Sequence, residues 1–386
     1  MAKVGNVSVI GVGQYAVGEH WELSLRDLGL KAIQAGLTDA ALEAVDAVVI
    51  GNALGGVISS QNHLGALLAD VAGLRGIEGV RVEGADASGA LALHEGYLMV
   101  ASGLVETVMV LGLEKVTDVV GSPRLTAMAT FLDTDYEAAQ GATPVGMAAL
   151  LMRRYMHEYG LQLSDFANFS VNAHANGMKN VNAMYRNQIK ADRFASAPVV
   201  ADPVNLFDVA PEADGAAVVI LTSSERAADM VPFPISILAS AVSIDTLAVH
   251  DRPDPLFLAA ANLSAGRAFA QAGLTPQDVD LLELHDFATV ITALSLEANG
   301  FAARGEGWRY AAENKIGLQG QLPISTFGGL KSRGNPLGAT GVYQAIEAVL
   351  QLRGQAGDNQ VTGAEIAMTQ NLGGLGSTAV THLFAK

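Results

Sequence analysis

The sequence has no cysteine, which excludes disulfides, thiolate metal sites and any cysteine nucleophile whatever the fold. Charge is also scarce: only 16% of residues are charged, and 23 Lys and Arg stand against 39 Asp and Glu, for a formal charge of −16. A nucleic-acid backbone needs basic surface to neutralise its phosphates, so this balance argues against such a partner. Local basic patches can still receive a small anion. No apolar run reaches the ~18 uninterrupted residues of a membrane helix. Met1-Ala2-Lys3 leads straight into a strand-like segment without signal-peptide architecture. Together these absences predict a soluble, cytoplasmic chain with neither membrane nor nucleic acid as partner.

What is present points to a large folded core. Half of the 386 residues are hydrophobic and 42 are glycine, which fits a compact α/β protein with many close backbone approaches. The length suits two domains or two halves.

Along the chain, Val7 to Gly13, Val45 to Asn52, Val80 to Ala85 and Thr107 to Leu113 read as strands, and Leu23 to Ala35, Gln61 to Val71 and Ser88 to Ser102 as helices. The last of these is apolar on all sides and therefore interior. The alternation predicts a parallel sheet covered on both faces. From Glu114 to Pro211 the chain is richer in polar and aromatic residues and Met, with helices around Met147 to Tyr159 and Leu163 to Ala175. Excursions this long inside a compact domain usually form lids or substrate-binding layers. The strand Ala216 to Leu221 returns to the sheet. Ile235 to Val242, Pro255 to Ala272, Leu281 to His285, Ala288 to Ala298, Gly341 to Arg353, Ala364 to Gln370 and Thr378 to Phe384 complete the second half as further strands and helices.

Two features organise these elements. Gln34-Ala35-Gly36-Leu37-Thr38 recurs as Gln271-Ala272-Gly273-Leu274-Thr275, each leading into a Val-Asp strand, Val45-Asp46 and Val279-Asp280, which supports duplication of a strand–helix unit. Val82 to Gly89 is an apolar run ending in a small-residue turn that opens a helix. This elbow presents Asp86 and the first helical N–H groups at the carboxyl end of a sheet.

The segments Gly328 to Gly341, Leu284-His285-Asp286-Phe287 and Gln370-Asn371-Leu372-Gly373-Gly374, supported by Val82 to Gly89, Gly112 to Lys115 and Asp208 to Gly215, resemble the thiolase superfamily over nearly the whole chain, within its sterol-carrier-protein-type and archaeal-type branch. The resemblance implies a duplicated, five-layered α/β/α/β/α thiolase fold. Its N-terminal half would cover residues 1–230, with an inserted loop domain at about 115–210, and its C-terminal half residues 231–386. It also implies a homodimer or dimer of dimers, and coenzyme A thioesters as substrates with no tightly bound cofactor. Lys179, Arg186, Lys190 and Arg193 would meet the CoA portion in the loop domain, or form an ordinary solvated surface.

Three departures from the family pattern fall on its chemical side chains. Where thiolases keep the nucleophilic cysteine this chain has Asp86, the cysteine of the His-Asp-Cys-Phe motif falls at Phe287, and the histidine of Gly-His-Pro falls at Asn335. A carboxylate lacks the nucleophilicity and leaving-group character that an acyl-cysteine cycle requires. The polar scaffold remains: Asn335 to donate to a thioester carbonyl, His285 to hold a water or an enolate oxygen, and the backbone of Ala87, Gly373 and Gly374 as an oxyanion cradle. Such groups suit enolate, aldol and retro-aldol chemistry, as in the cysteine-lacking thiolase-like aldolases of steroid side-chain degradation. Asp86 would then be a general base, a nucleophile forming an acyl anhydride, or an N-cap in a site that no longer catalyses. The corresponding functions are a C–C lyase, a covalent acyltransferase and a non-catalytic acyl-CoA-binding scaffold.

Tyr343 offers a proton donor near Asn335 or a core tyrosine, and His94 and Tyr97 read as hydrogen-bonded core residues. Asp133, Asp135 and Glu137 read as a solvated loop, since no histidines stand at metal spacing, and no metal site is expected. Relatives of this kind work with a small subunit carrying a zinc ribbon and an OB-fold. Such a partner is expected here, and its zinc would come from the partner.

Overall fold

Among residues 7–386, the part described by the computed structural model, the chain forms eleven strands and twelve α-helices; Met1-Ala2-Lys3 lies outside these residues. The strands are β1 (Val7–Gln14), β2 (Ala47–Gly51), β3 (Glu78–Val82), β4 (Thr107–Glu114), β5 (Val199–Ala201), β6 (Val204–Asn205), β7 (Gly215–Ser223), β8 (Ile235–Ile244), β9 (Leu281–Leu284), β10 (Ile366–Gly373) and β11 (Thr378–Ala385). The helices are α1 (Leu25–Asp39), α2 (Leu64–Val71), α3 (Ser88–Ser102), α4 (Ser122–Ala129), α5 (Pro144–Tyr159), α6 (Ala167–Gly177), α7 (Ala191–Ala195), α8 (Ser224–Met230), α9 (Ala259–Ala272), α10 (Thr289–Ala298), α11 (Arg309–Ala312) and α12 (Thr340–Leu352).

Strand periodicity builds the layers. In β4 every residue is buried, and successive side chains serve opposite faces. Val108 and Val110 join Leu93 and Tyr97 of α3 and Val342 and Ile346 of α12. Met109, Leu111 and Leu113 pack with Leu28 and Ile33 of α1 and Leu64 and Leu68 of α2. In the second half Leu281, Ala367 and Phe384 face the same central helices. Leu282, Met368 and Leu383 pack outward with α9 and α10. Two outer helix layers, two sheet halves and a central layer of α3 and α12 give the five-layered arrangement.

The strands run in the order β3-β2-β4-β7-β1-β8-β11-β10-β9. Around the central β1–β8 contact, β1-β7-β4-β2 and β8-β11-β10-β9 repeat one pattern: antiparallel, antiparallel, parallel. The sheet is therefore mixed, which corrects the parallel sheet expected from the sequence. The short 374–377 turn between β10 and β11 can only join antiparallel neighbours, and β7 takes the matching place in the first half after the long excursion.

The remaining differences are local. The strand expected to reach Ala85 ends at Val82, because Glu83 to Ala87 form the elbow. The helix expected over Leu163 to Ala175 is a 3₁₀ turn followed by α6. Helix α8 carries Glu225, Arg226 and Asp229 in seven residues and has no apolar periodicity to announce it. Glu137 is buried and accepts from the backbone N–H of Val249 at 2.8 Å, so it is an anchor, which corrects the solvated loop expected around it.

Residues 115–214 leave the sheet between neighbouring β4 and β7 and hold α4 to α7, β5 and β6. Asp214 ties entry to exit. It accepts from the N–H groups of Val116 and Thr117 at 2.7 and 2.9 Å, from the Thr117 hydroxyl and from Lys115 Nζ at 2.9 Å.

Candidate active site

The first turn of α3 follows directly on the elbow. Ala85 has φ +52°, a left-handed conformation that costs a residue with a Cβ about 1 kcal/mol or more. The Ser88 hydroxyl holds the turn, donating to Ala85 O at 2.6 Å and accepting from Gly84 N–H at 3.0 Å. Close approach of the α3 and α12 N-termini explains two glycines. A Cβ on Gly341 would stand 2.4 Å from Ala90 N, and one on Gly89 would stand 2.7 Å from Gly338 O.

Three further segments meet the elbow. Asn335 donates its N–H to Pro211 O at 2.9 Å and accepts at its C=O from Ala213 N–H at 3.0 Å, so the return to β7 is stitched to the Asn335 loop. The Asn335 side-chain Oδ1 accepts from Leu337 N–H at 3.1 Å and from the Thr340 hydroxyl at 2.9 Å. That fixes the amide orientation and turns Nδ2 to Asp86. Gly373 closes the β10–β11 ladder opposite Thr378, and the N–H of the following Gly374 faces Asp86.

Asp86 is buried, and burial pushes its carboxyl up to about 7. Its own N–H, the Gly374 N–H and the Asn335 amide pull the other way, while the neighbouring charge of Glu212 raises it further. At neutral pH the carboxylate and its acid are therefore both populated.

Two expectations need correction. The N-cap of α3 is Ala87, with no side-chain cap, so Asp86 lies one residue outside the capping position. The Ala87 N–H is spent on Gly84 O at 3.0 Å because the elbow turns too tightly to leave it free. The donors at Asn335 and Gly374 are present and face Asp86 itself.

His285 is buried, and its Nδ1 accepts from Asn371 Nδ2 at 3.0 Å, which puts the ring proton on Nε2. Nε2 has no protein partner. Burial, with the Arg333 charge nearby, pushes the ring down to about 3, so it stays neutral. Phe287 stands 5.7 Å from it, ring to ring. Arg333 is itself buried, paired with Glu347 at 2.7 Å and stacked over Tyr343 at 5.3 Å. The Tyr343 hydroxyl bonds to Tyr15 O at 2.6 Å and Ala216 O at 3.0 Å, and burial pushes its ionisation well above the usual tyrosine range. Its proton is committed to the backbone, which is the core role. His94 bonds to Ser240 at 2.8 Å, whereas the buried Tyr97 hydroxyl has no partner.

Beside these loops the excursion forms a cleft of about 580 Å³, walled by α4, the start of α5, Tyr185, Phe207 and residues 209–212. Its polar groups include His174, Asn187, Glu212 and Lys331. Burial pushes the Lys331 amine down to about 8, and it donates to Val209 O at 2.6 Å and Leu206 O at 3.0 Å. Lys179, Arg186, Lys190 and Arg193 are all exposed, with Arg186 between the cleft residues Tyr185 and Asn187.

Asn371, Lys331 and Glu212 were not singled out from the sequence. Asn371 has the clearest signal, since it stands two residues before Gly373 and shares its face of the strand. Lys331 and Glu212 sit inside recognised segments, but nothing local shows which way they point.

Residues 7–225 match the thiolase N-terminal domain family, and residues 241–386 match the thiolase C-terminal domain-like family. The chain belongs to the thiolase superfamily. This thiolase-superfamily chain is 43% identical to an acetyl-CoA acetyltransferase of Methanothermobacter thermautotrophicus, over 99% of its own length and 100% of the relative's. It is 30% identical to sterol carrier protein 2 of Oryctolagus cuniculus, over 100% of its length and 72% of the relative's. A solved structure of an Ltp2-ChsH2(DUF35) aldolase matches it with a TM-score of 0.85 at 24% identity, covering 100% of this chain and 99% of that one, a likeness of fold.

Proposed function

We propose that this protein makes or breaks a carbon–carbon bond next to a coenzyme A thioester, by aldol or retro-aldol chemistry and without an acyl-enzyme. The observation that carries this reading is Asp86 at the elbow, a buried carboxyl poised near 7 beside two hydrogen-bond donors. A general acid–base group works best when its pKa lies near the operating pH. A chain without cysteine offers no thiolate nucleophile for an acyl-enzyme. When Asp86 is protonated it is a weaker acceptor, and a thioester oxygen entering the site can take over the Asn335 amide and the Gly374 N–H. Neutral His285, with its free Nε2–H, adds a third donor to an enolate oxygen.

The cleft beside Glu212 would take the acyl chain, and the exposed Lys179, Arg186, Lys190 and Arg193 the CoA phosphates. The exposed apolar rim at Leu125, Val200 and Leu206 supports docking of a small acyl-CoA-binding subunit with its own zinc ribbon and OB-fold. The open edge of β3, with Glu78, Gly79 and Val80 exposed, supports pairing with a second copy of the chain.

Acyl transfer is the second reading, favoured by the name of the 43% identical relative. It requires an acyl anhydride on Asp86, trapped as a hydroxylamine-sensitive mass increase. The test of the main reading is to offer 3-hydroxy-3-methylbutyryl-CoA, with and without a candidate small subunit, and identify products by mass. Acetone and acetyl-CoA are expected. An Asp86→Asn variant that binds normally and retains full activity would overturn the role of Asp86.

A further inference from the structure

Bond cleavage beside a thioester moves protons at two atoms, the α-carbon and the β-oxygen, and one buried carboxyl between them serves one at a time. Glu212 is the residue that joins Asp86 to the cleft. Its backbone pairs in parallel with Asn335, whose side-chain amide faces Asp86. Its own side chain is about a quarter exposed and lines the cleft. The groups around it are Asp86, Arg124 of α4 at 3.8 Å, and Lys331 and His174 in the same cleft wall. Arg124 is close enough to steady a charge on Glu212 without burying it.

We propose that Glu212 is the second proton-carrying carboxylate of the site, serving the β-oxygen of the acyl chain while Asp86 serves the α-carbon. The assignment rests on the aldol reading above. In the cleavage direction the Glu212 carboxylate takes the β-hydroxyl proton, and the O–H electron pair becomes the second bond of the departing ketone. The Cα–Cβ bond breaks, its electron pair passes to Cα and the thioester oxygen, and the Asp86 acid gives its proton to Cα. One proton has entered on Glu212 and one has left from Asp86. The pair resets when Glu212 passes its proton to Asp86, and no oxidant, reductant or co-reactant is consumed.

The two roles separate experimentally, because exchange of the acetyl-CoA methyl protons with D₂O uses the α-carbon alone. Wild type, Glu212→Gln, Glu212→Asp and Asp86→Asn are compared for deuterium wash-in to acetyl-CoA and for cleavage of 3-hydroxy-3-methylbutyryl-CoA. Wild type is expected to do both, and Asp86→Asn to lose both. Glu212→Gln should keep wash-in within about threefold and lose about 10²–10⁴-fold in cleavage, the usual reach of a proton-transfer group, with Glu212→Asp recovering part of it. Retained wash-in also certifies the fold of the variant. Cleavage by Glu212→Gln within threefold of wild type, or equal loss of wash-in and cleavage, overturns the assignment while leaving the aldol reading standing. A wild type that neither exchanges nor cleaves overturns the aldol reading and this assignment with it.

Discussion

Asp86 and Glu114 are both buried carboxyls, and burial pushes both up to about 7. Glu114 is surrounded by protein donors: the N–H groups of Ala53, Leu54 and Gly338 at 2.8, 3.1 and 3.2 Å, and Asn52 Nδ2 at 3.0 Å. It locks the loop after β2 to the start of the Gly338 turn. Asp86 has fewer donors, feels the charge of Glu212, and through that residue is joined to the cleft. A raised pKa therefore marks burial in both places, and only the like-charged neighbour and the access to a cleft distinguish a chemical group from a structural pin.

The comparison breaks most sharply on activity. Asp86→Asn should lower cleavage of a 3-hydroxyacyl-CoA by about 10²–10⁴-fold with the fold intact, as followed by circular dichroism. Stability against pH gives the next largest effect. For both groups the folded pKa of about 7 lies above the unfolded value near 4, so between these the folded state holds protons that the unfolded state has lost. Stability should thus fall as pH rises from about 4 to 7, by up to roughly 1.4 kcal/mol per unit for each group, and level off above. Urea denaturation across that range should show a shallower fall for Asp86→Asn.

Glu114→Gln should cost about 1–3 kcal/mol at pH 7, because an amide nitrogen then faces backbone N–H donors; chemical denaturation checks this. Tyr343→Phe should cost about 1 kcal/mol and leave cleavage within about threefold, whereas a catalytic tyrosine would lose far more. Ala85→Gly should raise stability by a few tenths to about 1 kcal/mol, read as a higher denaturation midpoint.

The fold was legible because buried strands and an all-apolar helix leave strong periodic signals, and because the Gln-Ala-Gly-Leu-Thr echo marks the carboxyl-terminal ends of α1 and α9, inside the last turns of α1 and across the Gly273 cap of α9. Strand direction was not legible, since an apolar run reads the same either way. At the site, Asp86, His285, Asn335 and Gly374 could be named from their motifs. The partner of each could not: that Asn335 turns its amide to Asp86, or that the Ala87 N–H is consumed by the elbow, depends on backbone angles such as the positive φ of Ala85. Glu212 escaped notice because its role comes from a backbone pairing with a residue more than a hundred positions away.

C–C bond chemistry at a thioester without an acyl-enzyme is tested by measuring acetyl-CoA released from 3-hydroxy-3-methylbutyryl-CoA and from acetoacetyl-CoA, each with and without free CoA. Release from the hydroxy ester at a rate independent of free CoA is expected, and none from acetoacetyl-CoA. Release from acetoacetyl-CoA only when free CoA is added, with the hydroxy ester untouched, would contradict it.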